Sequence, residues 1–257
     1  MLTLFIALAV VLGLCLGSFC NVLIVRLYEG ASLGGRSRCV SCRRDLAASH
    51  LVPVFSWLFL RARCAYCQAP IHWQYPAVEV AGGAIGAAAV LVGYTGAAMD
   101  WPRVAFVASF LFIALVIAVF DLRWQLVPVS FTVAAILLFV VWQLAAGGAG
   151  DIRSMVIGMM VGGGFLWLLV WVSRARWMGE GDPIVGLLVG AVLGWPLTWT
   201  ALLAAFVIGG CVSAILLGLG IVRRKTPIPF VPFLMAGMIV AFFWGEALAE
   251  FFTYALS

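Results

Sequence analysis

Residues 2–25 read LTLFIALAVVLGLCLGSFCNVLIV, an uninterrupted run without a charged side chain. A helix that crosses the hydrocarbon core of a bilayer needs about 20 mainly apolar residues, so this run predicts a transmembrane helix. No basic segment precedes it, and we therefore expect a retained first helix instead of a cleaved signal peptide.

The rest of the chain has the same character. Of its 257 residues, 65% are hydrophobic and 10% are charged, whereas soluble domains have about 25% charged residues. The pattern predicts an all-α polytopic membrane protein with about eight transmembrane helices and one small loop domain. We expect a first transmembrane helix at 1–25, a cytoplasmic loop domain at 26–76 and a transmembrane core at 77–257. The predicted spans are 2–25, 77–96, 104–120, 127–146, 154–172, 183–195, 198–221 and 233–253.

Basic residues are distributed unequally between the two faces that these spans define. One set of connecting segments holds thirteen lysines and arginines, including Arg224 and Lys225, whereas the other set holds only Arg103 and Arg153. The positive-inside rule places the first set, with loop 26–76, in the cytoplasm and both termini outside. The net charge of +5 is therefore a topology signal. No aromatic-rich basic patch indicates a nucleic-acid partner, and the partner implied by composition is the lipid bilayer.

The loop contains two C-x-x-C pairs, Cys39-Val-Ser-Cys42 and Cys64-Ala-Tyr-Cys67. Four thiolates at this spacing are typical of a closed structural Zn²⁺ site. Disulfides and free thiols are the alternatives, and stable disulfides are disfavoured in a reducing cytoplasm. A segment of about 50 residues is also too small to form a good hydrophobic core alone. The loop therefore needs a bound metal or another cross-link, or it must lie on the membrane.

Two aspartates are predicted at cytoplasmic helix ends. Asp121 follows the third span, and Asp182 ends Gly179-Glu180-Gly181-Asp182 just before the sixth. Each could be a solvated cap, and Asp182 before Pro183 suits a helix N-terminus. Paired, they could share one proton, so that one carboxylate activates water while the other polarises a carbonyl. The glycines beside Glu180 would let a peptide backbone approach closely.

These residues belong to an ordered series of motifs that resembles the bacterial type IV prepilin peptidases, a family of GxGD intramembrane aspartyl proteases. The resemblance runs nearly from end to end of the chain. Its motifs are Gly17-Ser18-Phe19-Cys20-Asn21-Val22, the two cysteine pairs, Pro53-Val54-Phe55-Ser56-Trp57, Arg61-Ala62-Arg63-Cys64, Tyr75-Pro76-Ala77-Val78-Glu79, Asp121-Leu122-Arg123 with Leu126-Val127-Pro128, Gly179-Glu180-Gly181-Asp182 and Ile228-Pro229-Phe230-Val231-Pro232-Phe233.

The resemblance implies that Asp121 and Asp182 are the catalytic pair of an aspartic endopeptidase. It implies type IV prepilin or pseudopilin substrates, cut after a Gly that precedes their hydrophobic helix, in the bacterial inner membrane. Many members also methylate the new N-terminus with S-adenosylmethionine. The chain departs from the family pattern at three positions, where Val129 replaces an Asp, Ile184 a Lys and Val231 a Gly.

Five further residues are candidates for supporting roles. Gly179, Glu180 and Gly181 flank the second aspartate, and Glu180 could tune the pair or face water. Glu79 could bind substrate or methyl donor, although pairing with a loop arginine is the favoured interpretation. For Asn21, a hydrogen bond to another helix is favoured over methyl-donor binding.

Two other functions are compatible with membrane aspartates. A proton-coupled transporter uses such residues as relays, but no clear inverted repeat joins the two halves of the sequence. A catalytically degenerate homologue would keep the fold and the zinc loop and would have lost cleavage. Substitution of either aspartate by Asn separates these hypotheses, because only a peptidase loses cleavage.

Overall fold

A computed structural model describes residues 1–223 and 226–256, with side chains described except at 149–150, 246 and 248–256. Arg224 and Lys225, counted above as cytoplasmic, lie outside the described residues. The described chain is helical, with isolated β-bridges in place of strands. The helices are α1 (Leu2–Glu29), α2 (Phe55–Phe59), α3 (Gln74–Gly93), α4 (Trp101–Trp124), α5 (Val129–Ala146), α6 (Ala149–Ser173), α7 (Asp182–Leu193), α8 (Leu197–Gly218) and α9 (Val231–Leu256), and a short 3₁₀ turn covers Ala48–Leu51.

Six of these helices are long and apolar enough to cross a membrane: α1, α3, α4, α5, α6 and α8. Their positions agree with six of the predicted spans. α7 has 12 residues and therefore covers about 18 Å, less than the roughly 30 Å of a bilayer core. The described apolar part of α9, Val231–Gly245, is also short. The all-helical membrane fold is thus confirmed, whereas the count of eight spans stays a prediction.

The chain forms two compact units, Met1–Val116 and Ile117–Ser257. In the first unit, α1 packs along α3. Glycine makes this contact close: a Cβ added at Gly17 would lie 2.6 Å from the Val78 carbonyl oxygen, and one added at Gly13 would overlap the Gly82 carbonyl. Backbones that touch in this way are typical of small-xxx-small packing between membrane helices.

The second unit is built around α7, which packs on α5, α6, α8 and α9. Its contact with α6 again depends on glycine, because a Cβ at Gly162 would overlap the Gly186 carbonyl and one at Gly190 would overlap the Gly158 backbone. Val185, Leu188 and Val189 of α7 are fully buried. The helix that begins at Asp182 is therefore the core of its unit.

Candidate active site

Asp121 lies in the last turn of α4. The helix ends just beyond it, where Gln125 takes a left-handed conformation (φ 54°) and donates its N–H to the Asp121 carbonyl at 2.8 Å. The Asp121 side chain is 5% exposed, and within the described residues its Oδ2 is buried without a hydrogen-bond partner. Buried carboxylate oxygens are normally hydrogen-bonded, so this one is available to a bound molecule.

Asp182 is the first residue of α7 and is 6% exposed. Its Oδ2 accepts the Gly179 N–H at 3.0 Å, while its own N–H donates to the Gly179 carbonyl at 3.2 Å. These reciprocal bonds close the Gly179–Asp182 turn and fix the orientation of the carboxylate. The N-cap of α7 is Gly181, so the expectation that Asp182 caps this helix is wrong: its carboxylate bonds to the turn before the helix and not to the N–H groups of the first helical turn.

The two aspartates, 61 positions apart, lie in the same unit and close enough for their charges to interact. Three chain segments converge around them. A Cβ at Gly181 would lie 2.7 Å from Val127, which places the segment after Asp121 against the turn that carries Asp182. Gln125 donates its side-chain N–H to the Pro227 carbonyl at 3.4 Å. The N–H of Val231, at the start of α9, lies toward the Asp121 carboxyl group.

The other residues singled out around the pair differ in their surroundings. Glu180 and Gly179 are exposed, whereas Gly181 is partly covered by Val127. The three positions that depart from the family pattern also differ in burial: Val129 is 47% exposed at the first residue of α5, Ile184 is half-buried, and Val231 is fully buried. Val127, which belongs to the Leu126-Val127-Pro128 motif but was not among the candidate site residues, is a further neighbour of the site.

Glu79 and Asn21 lie in the first unit and connect its helices and loop. Glu79 Oε2 accepts the Val54 N–H at 2.7 Å, and Ser18 is a second hydrogen-bond partner. The expected pairing of Glu79 with a loop arginine is not seen among the described residues. Asn21, 2% exposed in α1, donates to the Tyr75 carbonyl of α3 at 3.0 Å.

The hydrogen bond that Glu79 accepts comes from Val54, which lies in an unusual turn of the loop. Val54 has φ 63° and ψ −50°, and the Phe55 N–H returns to the Pro53 carbonyl at 2.6 Å. This geometry is a γ-turn of the rare, strained kind, and left-handed φ values are unfavourable for a β-branched residue. Such a conformation persists only where its surroundings hold it, and the Glu79 carboxylate is one such restraint.

The four predicted cysteines form one cluster. Their Sγ atoms all lie within 4.8 Å of one another, and all four are free thiols. Cys39 Sγ and Cys67 Sγ are 3.8 Å apart. Four sulfurs about 2.3 Å from one central Zn²⁺ would be about 3.8 Å apart, which is the separation of this one pair, and the whole cluster could hold a metal ion.

The two cysteine pairs share one backbone design. Cys39 N–H bonds to the Arg44 carbonyl at 3.0 Å, and Cys64 N–H bonds to the Ala69 carbonyl at 2.9 Å. In each pair the residue after the second cysteine is left-handed, with φ 57° at Arg43 and 58° at the equivalent Gln68. Each pair is therefore a preformed knuckle, and together the knuckles could hold a metal ion with four protein ligands and no open position.

Comparison with known proteins identifies the family of the chain. Residues 11–92 match the bacterial peptidase A24 N-terminal domain, and residues 108–214 match the type IV leader peptidase family. A prepilin leader peptidase/N-methyltransferase of Burkholderia pseudomallei is 33% identical over 93% of this chain and 85% of its own length. Proteins of the same name from Bacillus subtilis and Aeromonas hydrophila are each 28% identical, over 94% and 97% of this chain and 95% and 94% of theirs. No solved structure gives a significant match.

Proposed function

Because this chain belongs to the type IV leader peptidase family, we propose that it removes the leader peptide of type IV prepilins or pseudopilins, with Asp121 and Asp182 as its catalytic pair. The observation that carries the proposal is that the turn carrying Asp182 packs against the segment that follows Asp121, with both carboxylates buried. Ionisable groups at such positions cost free energy, and an aspartic peptidase requires two carboxylates.

The chemistry requires the pair to hold one proton. The ionised carboxylate takes a proton from a water molecule, whose oxygen attacks the scissile carbonyl carbon, while the protonated carboxyl group donates a hydrogen bond to the carbonyl oxygen. Collapse of the tetrahedral intermediate breaks the C–N bond, and a proton from the pair passes to the leaving amine. The Gly179 N–H supports this role by orienting Asp182, and Asp121 Oδ2 supports it by being unengaged within the described residues.

The proposed substrate geometry follows from topology. We place the chain in the bacterial inner membrane, with loop 26–76 in the cytoplasm and both termini outside, because lysine and arginine are concentrated on one set of loops. This topology puts the last turn of α4, which carries Asp121, and the first residue of α7, Asp182, on the cytoplasmic side. A substrate with its leader in the cytoplasm and its apolar helix in the bilayer would present the scissile bond at that level, after the Gly that precedes the helix.

Two cofactors belong to the proposal. Zn²⁺ fits the four thiols of Cys39, Cys42, Cys64 and Cys67 by number, spacing and backbone design, and as a closed site it would stabilise the loop without entering the chemistry. The relatives' name also includes N-methyltransferase, and S-adenosylmethionine supplies the methyl group for that second activity. The described residues single out no pocket for this donor, so we assign it no side chains.

The test is co-expression with a type IV prepilin reporter, with leader removal and any added methyl group read from the mass of the product. Wild type should cleave, and Asp121→Asn and Asp182→Asn should both abolish cleavage. Asp151→Asn is the matched control, because Asp151, in the first turn of α6, accepts the Gly148 N–H and the side-chain oxygen of Asn can accept the same bond. Folded wild type that leaves several prepilins intact would indicate a degenerate homologue, and cleavage by either aspartate variant would refute the pair. The relatives give no support to a transporter.

A further inference from the structure

The short helix α2 of the cytoplasmic loop exposes large apolar side chains. Phe55 is 56% exposed, Leu58 58% and Phe59 83%. A shallow groove beside them is lined mainly by apolar residues, among them Val52 and Leu60. Contiguous exposed apolar surface of this kind usually marks a contact site for a partner or a membrane.

Two hydrogen bonds hold α2 close to the start of α3, one to α3 itself and one to the segment just before it. Val54, just before α2, donates its N–H to Glu79 at 2.7 Å, and Trp57 Nε1 within α2 donates to the Ile71 carbonyl at 3.2 Å. Glu79 is the sixth residue of α3, about 8 Å from its start, and helical side chains lean toward the N-terminus. α2 is therefore held beside the first turns of α3, the end of that helix that the proposed topology puts at the cytoplasmic surface.

The charge of the loop identifies the kind of surface that it meets. Residues 26–76 contain seven arginines and two acidic residues, a net charge of +5 that equals that of the whole chain. Arg61 and Arg63 are exposed directly after α2. Basic residues beside a membrane are attracted by anionic lipid headgroups, and an apolar helix with a basic flank is the pattern of an interfacial anchor.

We propose that α2 is an interfacial anchor that inserts Phe55, Leu58 and Phe59 into the headgroup–acyl boundary of the cytoplasmic leaflet, with Arg61 and Arg63 on anionic lipid phosphates. The occupant is the lipid of the surrounding bilayer, because depth and charge both match it. The anchor would fix the loop that carries the cysteine cluster on the membrane surface. The inference depends on neither the aspartate pair nor a bound metal.

The test places the photo-crosslinker p-benzoylphenylalanine in the full chain, reconstituted without substrate in nanodiscs with or without phosphatidylglycerol. The label replaces Phe59 or Leu58, and the control label replaces Val40, which is 57% exposed on the first knuckle outside the segment held by Glu79. After irradiation, mass spectrometry should find several-fold more lipid adduct at Phe59 and Leu58 than at Val40. In Arg61→Gln/Arg63→Gln, preference for phosphatidylglycerol over neutral lipid should fall.

Two further outcomes keep the proposal falsifiable. Phe59→Asp should reduce the lipid adduct formed by the label at Leu58, because a charged side chain opposes insertion at that depth. Equal lipid adducts at Phe59 and Val40 would overturn the proposal. So would a dominant cross-link from Phe59 to a second copy of the chain, or, after prepilin is added, to the substrate with loss of the lipid adduct. Two labelled positions guard against one variant that fails to fold.

Discussion

Gly181, between Glu180 and the second aspartate, has no room for a side chain. Its φ of −80° and ψ of −24° suit any residue, so the backbone itself does not require glycine. The restriction is the neighbour: a Cβ would lie 2.7 Å from both Cβ and Cγ2 of Val127. Ordinary contact begins at 3.4–4 Å, so Gly181→Ala must move the Asp182 turn and the segment after Asp121 apart by about 1 Å.

A displacement of this size would separate the two carboxylates of the proposed catalytic pair. Misplacement by about 1 Å can lower activity about 100-fold, and overpacking typically destabilises a fold by about 1–3 kcal/mol. We therefore expect Gly181→Ala to lower the rate of leader removal about 100-fold in protein that still folds. The assay is the rate of prepilin reporter cleavage by purified enzyme in nanodiscs, with folding verified by thermal unfolding.

Matched variants separate this cause from others. Gly179→Ala is the same change two residues earlier, where a Cβ would lie 3.8 Å from the Asp182 oxygens, so the turn should keep its geometry and the loss of activity should be much smaller. Val127→Gly should rescue Gly181→Ala because it removes both clashing atoms, whereas Val127→Ala leaves Cβ in place and should not. Wild-type activity in Gly181→Ala, or equal rescue by both Val127 variants, would refute the reasoning.

Three other predictions test the rest of the structure. Gly162→Ala should destabilise the second unit by about 1–3 kcal/mol because its Cβ overlaps the Gly186 carbonyl. Gly164→Ala on the same helix faces open space and should be neutral in thermal unfolding. Purified wild type should contain one zinc per chain by elemental analysis. Cys64→Ser should lose the metal, and Cys211→Ser, outside the cluster, should keep it. Glu79→Ala should leave the Val54 N–H unpaired, at about 1–3 kcal/mol, and speed tryptic cleavage of the loop, whereas Glu79→Gln keeps an acceptor and should not.

Local patterns predicted the elements of the fold well. Hydropathy located the membrane helices because burial in lipid requires long apolar segments, and α4, predicted at 104–120, is observed at Trp101–Trp124. The spacing of the cysteines predicted a cluster because each C-x-x-C pair forms a local knuckle. Both features are encoded by residues close together in the chain, so one sequence was sufficient to find them.

Contacts between segments far apart in the chain could not be predicted from the sequence. Nothing in the pattern connects Val127 with Gly181, or Gln125 with Pro227, because such pairs are set by how packed helices place their ends. The partner of Glu79 illustrates the same limit. A buried acid suggested an arginine partner, whereas the observed donors are the Val54 backbone and Ser18. A backbone donor leaves no trace in the identity of its residue.

Backbone donors also bear on the three departures from the family pattern, because a backbone N–H does not depend on the identity of its side chain. The described groups that approach the two carboxylates are the backbone N–H groups of Gly179 and Val231. A change of side chain leaves a backbone N–H in place, so Val at position 231 still directs this donor toward Asp121 while its side chain is buried. Val129, 47% exposed at the start of α5, and half-buried Ile184 likewise remove charges without removing either N–H group. The aspartate pair therefore depends on the path of the backbone more than on these three side chains, which is why we expect cleavage despite all three.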